Sequence, residues 1–129
     1  MNYPIIVTCA VIENNGKFLI TQRPKDTHNG LRWEFPGGKL KFGEDPKSCL
    51  EREIMEELGI EIKALEILEY SSHVYSGEKH IVLIGFTCEY VSGKIKKLNI
   101  NDYVWVSLTE IFKYDITEAD LPIIEKLKG

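Results

Sequence analysis

The stretch "GKLKFGEDPKSCLEREIMEELGI", Gly38 to Ile60, decides the fold. Its second half reads as one amphipathic helix. Asp45-Pro46 is a start signal, a capping side chain followed by proline at the first helical position. Leu50, Ile54 and Leu58 recur every fourth residue as a narrow core-facing stripe. Gly59 stands where a helix ends in a left-handed residue. The spacing predicts a helix over residues 46–58.

Strand-like segments surround it. "PIIVTCAVIE" (Pro4 to Glu13) and "GKFLITQR" (Gly16 to Arg23) flank Asn14-Asn15-Gly16, residues that tolerate positive φ, and together they read as a hairpin. "PKDTHNGLRWEFPGGKLKFGED" is rich in Gly, Pro and Asp and lacks a period, so a long loop is expected, with one short extended piece at "WEF". Beyond the helix, "EIKALEILEYSSHVY", "KHIVLIGFTCEYVSG" and "YVWVSL" are strand-like by their β-branched and aromatic content. "TEADLPIIEKLK" reads as a closing helix, with Thr117 three residues before Asp120 in a capping-box-like arrangement. Strands, an inner helix, more strands and a terminal helix indicate an α+β fold, a sandwich around a mixed sheet. At 129 residues, one domain spanning 1–129 is expected.

Composition narrows the function. Hydrophobic residues make up 43% and charged ones 28% of the chain, the balance of a soluble globular protein rather than a membrane or disordered one. The net charge is -4, and the arginines are only Arg23, Arg32 and Arg52. No basic stripe follows a nucleic-acid backbone, which argues against polymeric DNA or RNA as a partner. Small phosphorylated ligands need only a few placed cations and a metal ion. "MNYPIIVTCAVIENN" has no cationic leader and no run long enough to span a membrane. Cys9, Cys49 and Cys88 form no C-x-x-C pair and read as reduced packing thiols of a cytoplasmic protein.

The helix acids carry the chemistry. With Glu53 at zero on a helical wheel, Glu57 falls near +40° and Glu56 near -60°, beside a buried stripe at about +60° to +140°. Like charges at this spacing each cost an isolated helix roughly 0.2–0.5 kcal/mol. No lysine four residues on relieves them, and Arg52 is the one nearby cation, enough for one or two carboxylates. Ordinary solvated glutamates are the bland explanation. The sharper one is a site for a hard cation such as Mg²⁺, which takes oxygen ligands and shares them with substrate phosphates.

From Gly38 onward the chain resembles the Nudix hydrolases. The pattern is glycine, five residues, glutamate, seven residues, Arg-Glu, an aliphatic, any residue, Glu-Glu, any residue, glycine, an aliphatic. Gly38, Glu44, Arg52, Glu53, Ile54, Glu56, Glu57, Gly59 and Ile60 meet every fixed place. Its seven invariant letters would coincide by chance in roughly one such chain in a million. "RPKDTHNGLRWEFPGGK" and "LPIIEKLK" are similar to the MutT branch. The resemblance implies an α/β/α sandwich, Mg²⁺ or Mn²⁺, and hydrolysis of nucleoside triphosphates to monophosphate and pyrophosphate. It implies metal held by Glu53, Glu56 and Glu57 with a carbonyl of Gly37 or Gly38, Arg52 orienting Glu53, and Glu53 taking the proton of the attacking water. It also implies substrate contacts from Arg23, His28, Glu34, Phe35, Pro36, Gly37 and Lys39. Arg23 and His28 read equally as a strand-end charge and a loop histidine, Lys39 as a solvated lysine, and Trp33 and Phe35 as core.

Two departures stand out. Where many relatives carry a loop glutamate about six residues before a late tryptophan, here Trp105, this chain has Asn99, with Asp102 as the nearest acid. Asp120 occupies the place where enzymes clearing oxidised guanine nucleotides read the base with asparagine. An ionised carboxylate only accepts, which suits an exocyclic amine such as cytosine's; a helix-capping acid is the plainer role. The resemblance leaves open cytosine-type, oxidised (8-oxo-dGTP) or otherwise modified substrates. An ADP-ribose or dinucleoside polyphosphate hydrolase, the latter on the strength of Tyr75, and a non-catalytic nucleotide sensor are the alternatives. A monomer or homodimer is expected.

Overall fold

The computed structural model describes residues 3–129. β1 (Ile5–Asn14) and β2 (Lys17–Gln22) are joined through Asn15 and Gly16, with φ of 52° and 78°, as a two-residue hairpin turn requires. The strands pair only beside that turn, at Glu13–Phe18 and Asn14–Lys17. Beyond it they diverge, and the segment 33–39 fills the fork. β3 (Trp33–Glu34) pairs with β2, and β4 (Gly37–Lys39) pairs with Val7, Thr8 and Cys9 of β1. The predicted loop therefore holds two short strands rather than one. β4 contains Gly37 and Gly38, which have little strand propensity, and it exists because β1 offers it an unpaired edge.

β5 (Glu61–Tyr75) and β6 (Lys79–Ser92) form a long antiparallel hairpin. β6 runs parallel to β1 from Ile5–Ile81 to Ile12–Cys88, and β7 (Asp102–Val106) takes the other edge of β2. The result is a mixed seven-stranded sheet. α1 (Pro46–Leu58) covers one face and α2 (Leu121–Lys128) the other. This is the expected α/β/α sandwich. β1 has to be apolar on both sides: Ala10 and Ile12 pack with Leu50, Ile54 and Leu58 of α1, while Cys9 and Val11 pack with Ile123 and Ile124 of α2. A strand covered on both faces reads as a continuous apolar run instead of an alternating one.

α1 has the predicted bounds. Asp45 Oδ2 accepts from the N–H groups of Lys47 (3.1 Å) and Ser48 (3.3 Å), and Gly59, at φ 70°, closes the other end by donating to Met55 O. The terminal helix departs from expectation. It begins at Leu121, and Glu118–Asp120 form a 3₁₀ turn before it. Thr117 does not cap; its hydroxyl donates to Asp120 Oδ1 at 2.8 Å. The reason is tertiary, because Asp120 Oδ2 accepts from the N–H of Phe35 at 2.8 Å and turns the carboxylate inward. All three cysteines are free, with Cys9 and Cys49 buried. No helix among the described residues is long and apolar enough to cross a membrane.

Ile54 is fully buried between α1 and the sheet, whereas Met55, its neighbour, is 47% exposed. Ile54→Ala is expected to cost about 2–5 kcal/mol in urea unfolding, and Met55→Ala less than about 0.5 kcal/mol.

Candidate active site

A cavity of about 260 Å³ opens where β1 and β2 part. Gly37 and Gly38 of the wedge lie with Glu53 and Glu57 of α1 at one end, Phe35 lies with Thr117, Ala119 and Asp120 at the other, and Thr8 and Cys9 of β1 also line it. Residues 85 positions apart in the chain thus share one pocket.

At the helix end, a side chain on Gly38 would collide with the Glu53 carboxylate, and one on Gly37 with the Thr8 carbonyl. The two glycines let α1 approach β4 so closely that Glu53 lies against backbone. Arg52 then divides its guanidinium. Nε and Nη2 donate to the two oxygens of Glu44 (2.7 and 2.9 Å), and Nη1 donates to Glu53 Oε1 (2.9 Å) and Glu56 Oε2 (3.1 Å). Of the three helix acids Arg52 serves two, Glu53 and Glu56, as the sequence suggested, and it also grips Glu44, which offers a bidentate fork from outside the helix. Arg52's hydrogen bonds hold the Glu44 carboxyl down to about 2.

Glu57 is left over. It forms no salt bridge with any described residue, and burial, with the neighbouring charges of Glu34 and Glu53, pushes its carboxyl up to about 9. Glu56 is 54% exposed and sits outside the pocket lining. As the side chains stand, no three acidic, His or Cys groups among the described residues form a ready-made metal cluster, since Arg52 draws Glu53 and Glu56 towards itself. The donor set nonetheless suits a hard divalent cation: it is all oxygen, and the half-buried carboxylate of Glu57 forms no salt bridge with any described residue.

Cations gather on the rim. Arg23 Nη1 donates to both oxygens of Glu34 (3.2 and 3.0 Å), and its Nε donates to His28 O (2.6 Å). Lys39 is exposed but lines the opening, and Lys79, at the start of β6, lies beside it. Burial, Lys39 and Arg23 together lower the Lys79 ammonium from its usual value. Lys79 was not legible in the sequence, because only the β5–β6 turn carries it to the pocket. The His28 ring packs edge-on against Tyr75 at 5.0 Å, and burial followed by the charge of Lys79 lowers its pKa. Pro36 does not line the cavity; it is buried, and its carbonyl accepts from Ala10 N–H. Trp33 packs against Tyr114, as a core aromatic does.

At the far end Asp120 is 3% exposed. Burial, then the charge of Glu34, pushes its carboxyl up to about 7, against the hydrogen bonds from Phe35 N–H and Thr117. Burial raises Glu34 as well, with Arg23 opposing. The expectation of a capping acid fails, for Asp120 makes no helix-capping bond. Asp102 lies outside the lining of the pocket; it accepts from Tyr103 N–H and pairs with Lys97 at 3.2 Å. Asn99 lines a smaller cavity together with Glu57, Glu34 and Arg23, and its N–H donates to Glu57 O. Tyr75 has an unforeseen task, its hydroxyl accepting from Ala119 N–H at 2.9 Å.

With this geometry in view, comparison with known proteins is decisive. The NUDIX domain family matches residues 2–127. The chain belongs to the Nudix family. It is 35% identical over 121 residues to the CTP pyrophosphohydrolase of Escherichia coli strain K12, covering 94% of this chain and 89% of that one. It is 32% identical to the 8-oxo-dGTP diphosphatase of the same organism, covering 95% of each. The crystal structure of a MutT protein from Methanosarcina mazei Go1 superposes with a TM-score of 0.88 at 29% identity, over 98% of this chain and 94% of that one. As a MutT-like Nudix protein the chain is a hydrolase acting on phosphoric anhydrides, in a family that generally uses divalent metal ions.

Because Asp120 titrates higher folded than unfolded, the folded state binds the extra proton, and its contribution to stability falls as pH rises from 3.8 to about 7. Asp120→Asn keeps an acceptor for Phe35 N–H and removes the buried charge. The variant should melt higher than wild type above pH 7, and the gain should vanish as pH falls to 4. Thermal denaturation across that range checks both signs.

Proposed function

We propose that this Nudix domain, taken as the single domain 1–129, is a Mg²⁺-dependent pyrophosphohydrolase of nucleoside triphosphates, cleaving them to monophosphate and pyrophosphate, with cytosine-type bases preferred over oxidised or otherwise modified ones. The observation that carries the base preference is Asp120. Its oxygens already accept from Phe35 N–H and Thr117 Oγ1, and their remaining lone pairs only accept, which matches an exocyclic amine. A pocket of about 260 Å³ fits one base and sugar better than two linked nucleosides.

In this reading Glu53, Glu56 and Glu57, with the carbonyl of Gly37 or Gly38, hold the metal, Mn²⁺ serving in place of Mg²⁺. The ion supplies charge neutralisation of the polyphosphate and a lower pKa for water. Arg52 fixes Glu53 through Oε1, and the remaining oxygen lies over Gly38, facing the pocket that Glu53 lines. Glu53 takes a proton as the water oxygen bonds to phosphorus, and the anhydride P–O bond breaks with its electron pair leaving on the departing phosphate. Arg23, Lys39 and Lys79 meet the phosphates. Phe35 and His28 flank the base, Glu34 positions Arg23, and Pro36 acts only by fixing Phe35. The substrate is a small nucleotide rather than a polymer. A cytoplasmic monomer or homodimer clearing the nucleotide pool is the setting.

One observation favours a second reading. A protonated Asp120 both donates and accepts, as asparagine does, so oxidised guanine nucleotides become competent ligands below about pH 7. The test is turnover of a triphosphate panel with Mg²⁺, following pyrophosphate. CTP or dCTP should lead at pH 8, chelation should abolish turnover, and Glu53→Gln should lower kcat by about 10²–10⁴. No pyrophosphate from any member, with binding retained in calorimetry, would replace the enzyme with a sensor.

A further inference from the structure

The 3₁₀ turn that supplies Asp120 belongs to neither a strand nor the body of a helix, so something else must fix its angle. Arg32 meets the need. It does not line the pocket, yet its guanidinium, 21% exposed, grips the chain just before Asp120 at three points. Nη1 and Nη2 donate to the two oxygens of Glu118 (2.6 and 3.1 Å), Nη2 also donates to Ile116 O (2.6 Å), and Nε faces Asp115 Oδ1 at 3.3 Å. The backbone of Arg32 is tied in turn to the substrate side: Arg23 N–H donates to Arg32 O at 2.9 Å. The residue therefore bridges the strand end that carries Arg23 and the turn that carries Asp120.

We propose that Arg32 is the positioning residue for base discrimination, holding the turn 116–120 so that the Asp120 carboxylate meets the base at one fixed angle. The inference rests on the reading of Asp120 as the base-contacting group. Arginine suits the task because its planar fork fixes direction as well as distance, which a lysine ammonium does not. Loss of the fork leaves the turn attached. Trp33 N–H still donates to Asp115 O, Thr117 N–H to Trp33 O, and Ala119 N–H to the Tyr75 hydroxyl. The turn would tilt rather than detach, and tilt degrades recognition before chemistry.

Arg32→Gln, Arg32→Lys and Glu118→Gln are each assayed for kcat and KM on CTP, on the other triphosphates, and on ribose 5-triphosphate, which has no base. The expected result is a KM for CTP raised about tenfold with kcat within about twofold, a discrimination ratio collapsing towards one, and unchanged turnover of the base-free substrate. The pair Arg32→Glu with Glu118→Arg should recover part of the ratio, and it also serves if a single variant folds poorly. A uniform fall in kcat on all substrates, base-free included, or an unaltered ratio would overturn the proposal. If wild type discriminates and Asp120→Asn abolishes this while the Arg32 variants do not, Arg32 alone is misread. If wild type does not discriminate at all, the reading of Asp120 fails and this inference falls with it.

Discussion

A side chain at position 37 would run into the carbonyl of Thr8, and one at position 38 into the carboxylate of Glu53. The rest of the site depends on that absence of side chains. β1 and β2 separate after two residue pairs, and the gap between them is closed by a segment thin enough to lie flat against β1 on one side and beneath α1 on the other. Glycine weakens a strand through entropy and lack of packing. Here the loss is offset by close approach, which brings a helix carboxylate onto backbone and leaves a concave space at the fork.

Electrostatics then follows from an unequal division. Arg52 can offer its donors to Glu44, Glu53 and Glu56 because all three lie on its side of the helix end. Glu57, turned towards Glu34 and the pocket, cannot reach it. A half-buried carboxylate without a salt bridge is costly, and desolvation makes it hold its proton. The desolvation that makes Glu57 costly is what suits it to the proposed cation, since a bound ion would remove the imbalance. In this scheme the arginine and the proposed metal share Glu53 and Glu56, while Glu44 is left to the arginine and Glu57 to the metal.

What the sequence made legible was local. The bounds of α1 followed from Asp45-Pro46, a four-residue stripe and Gly59, all of which act within a turn or two of where they stand. The long strands after it followed from composition, and the acids at Glu53, Glu56 and Glu57 from spacing. What stayed hidden is set by contacts distant in the chain. β4 is a strand only because β1 has a free edge. Thr117 and Asp120 carry the letters of a capping box, but Phe35 N–H competes for the carboxylate and wins. Glu56, one of three acids indistinguishable by spacing, is the one that faces out. Lys79 and Tyr75 reach the pocket through the β5–β6 hairpin; the family resemblance drew notice to Tyr75, but not to its bond with Ala119, and no local signal marks Lys79.

Those hidden contacts divide the labour of the site. The helix end draws its acids, its arginine and its glycines from one continuous stretch, Gly37 to Gly59, laid against β1. The opposite end is assembled from four places in the chain: Arg32 to Phe35, Tyr75, Ile116 to Asp120, and the strands beneath them. Changes at Arg32, Phe35, Tyr75 or the turn alter the angle or the charge at Asp120 while leaving the bonds of Arg52 to the helix glutamates in place. Relatives at 35% and 32% identity carry different substrate names, CTP for one and 8-oxo-dGTP for the other. Such divergence is expected where the base end is held by dispersed contacts. Under the proposed reading, substitution there would shift which nucleotide fits and leave the groups proposed for the chemistry in place, whereas substitution within the continuous stretch disturbs helix, glycine cradle and carboxylates together.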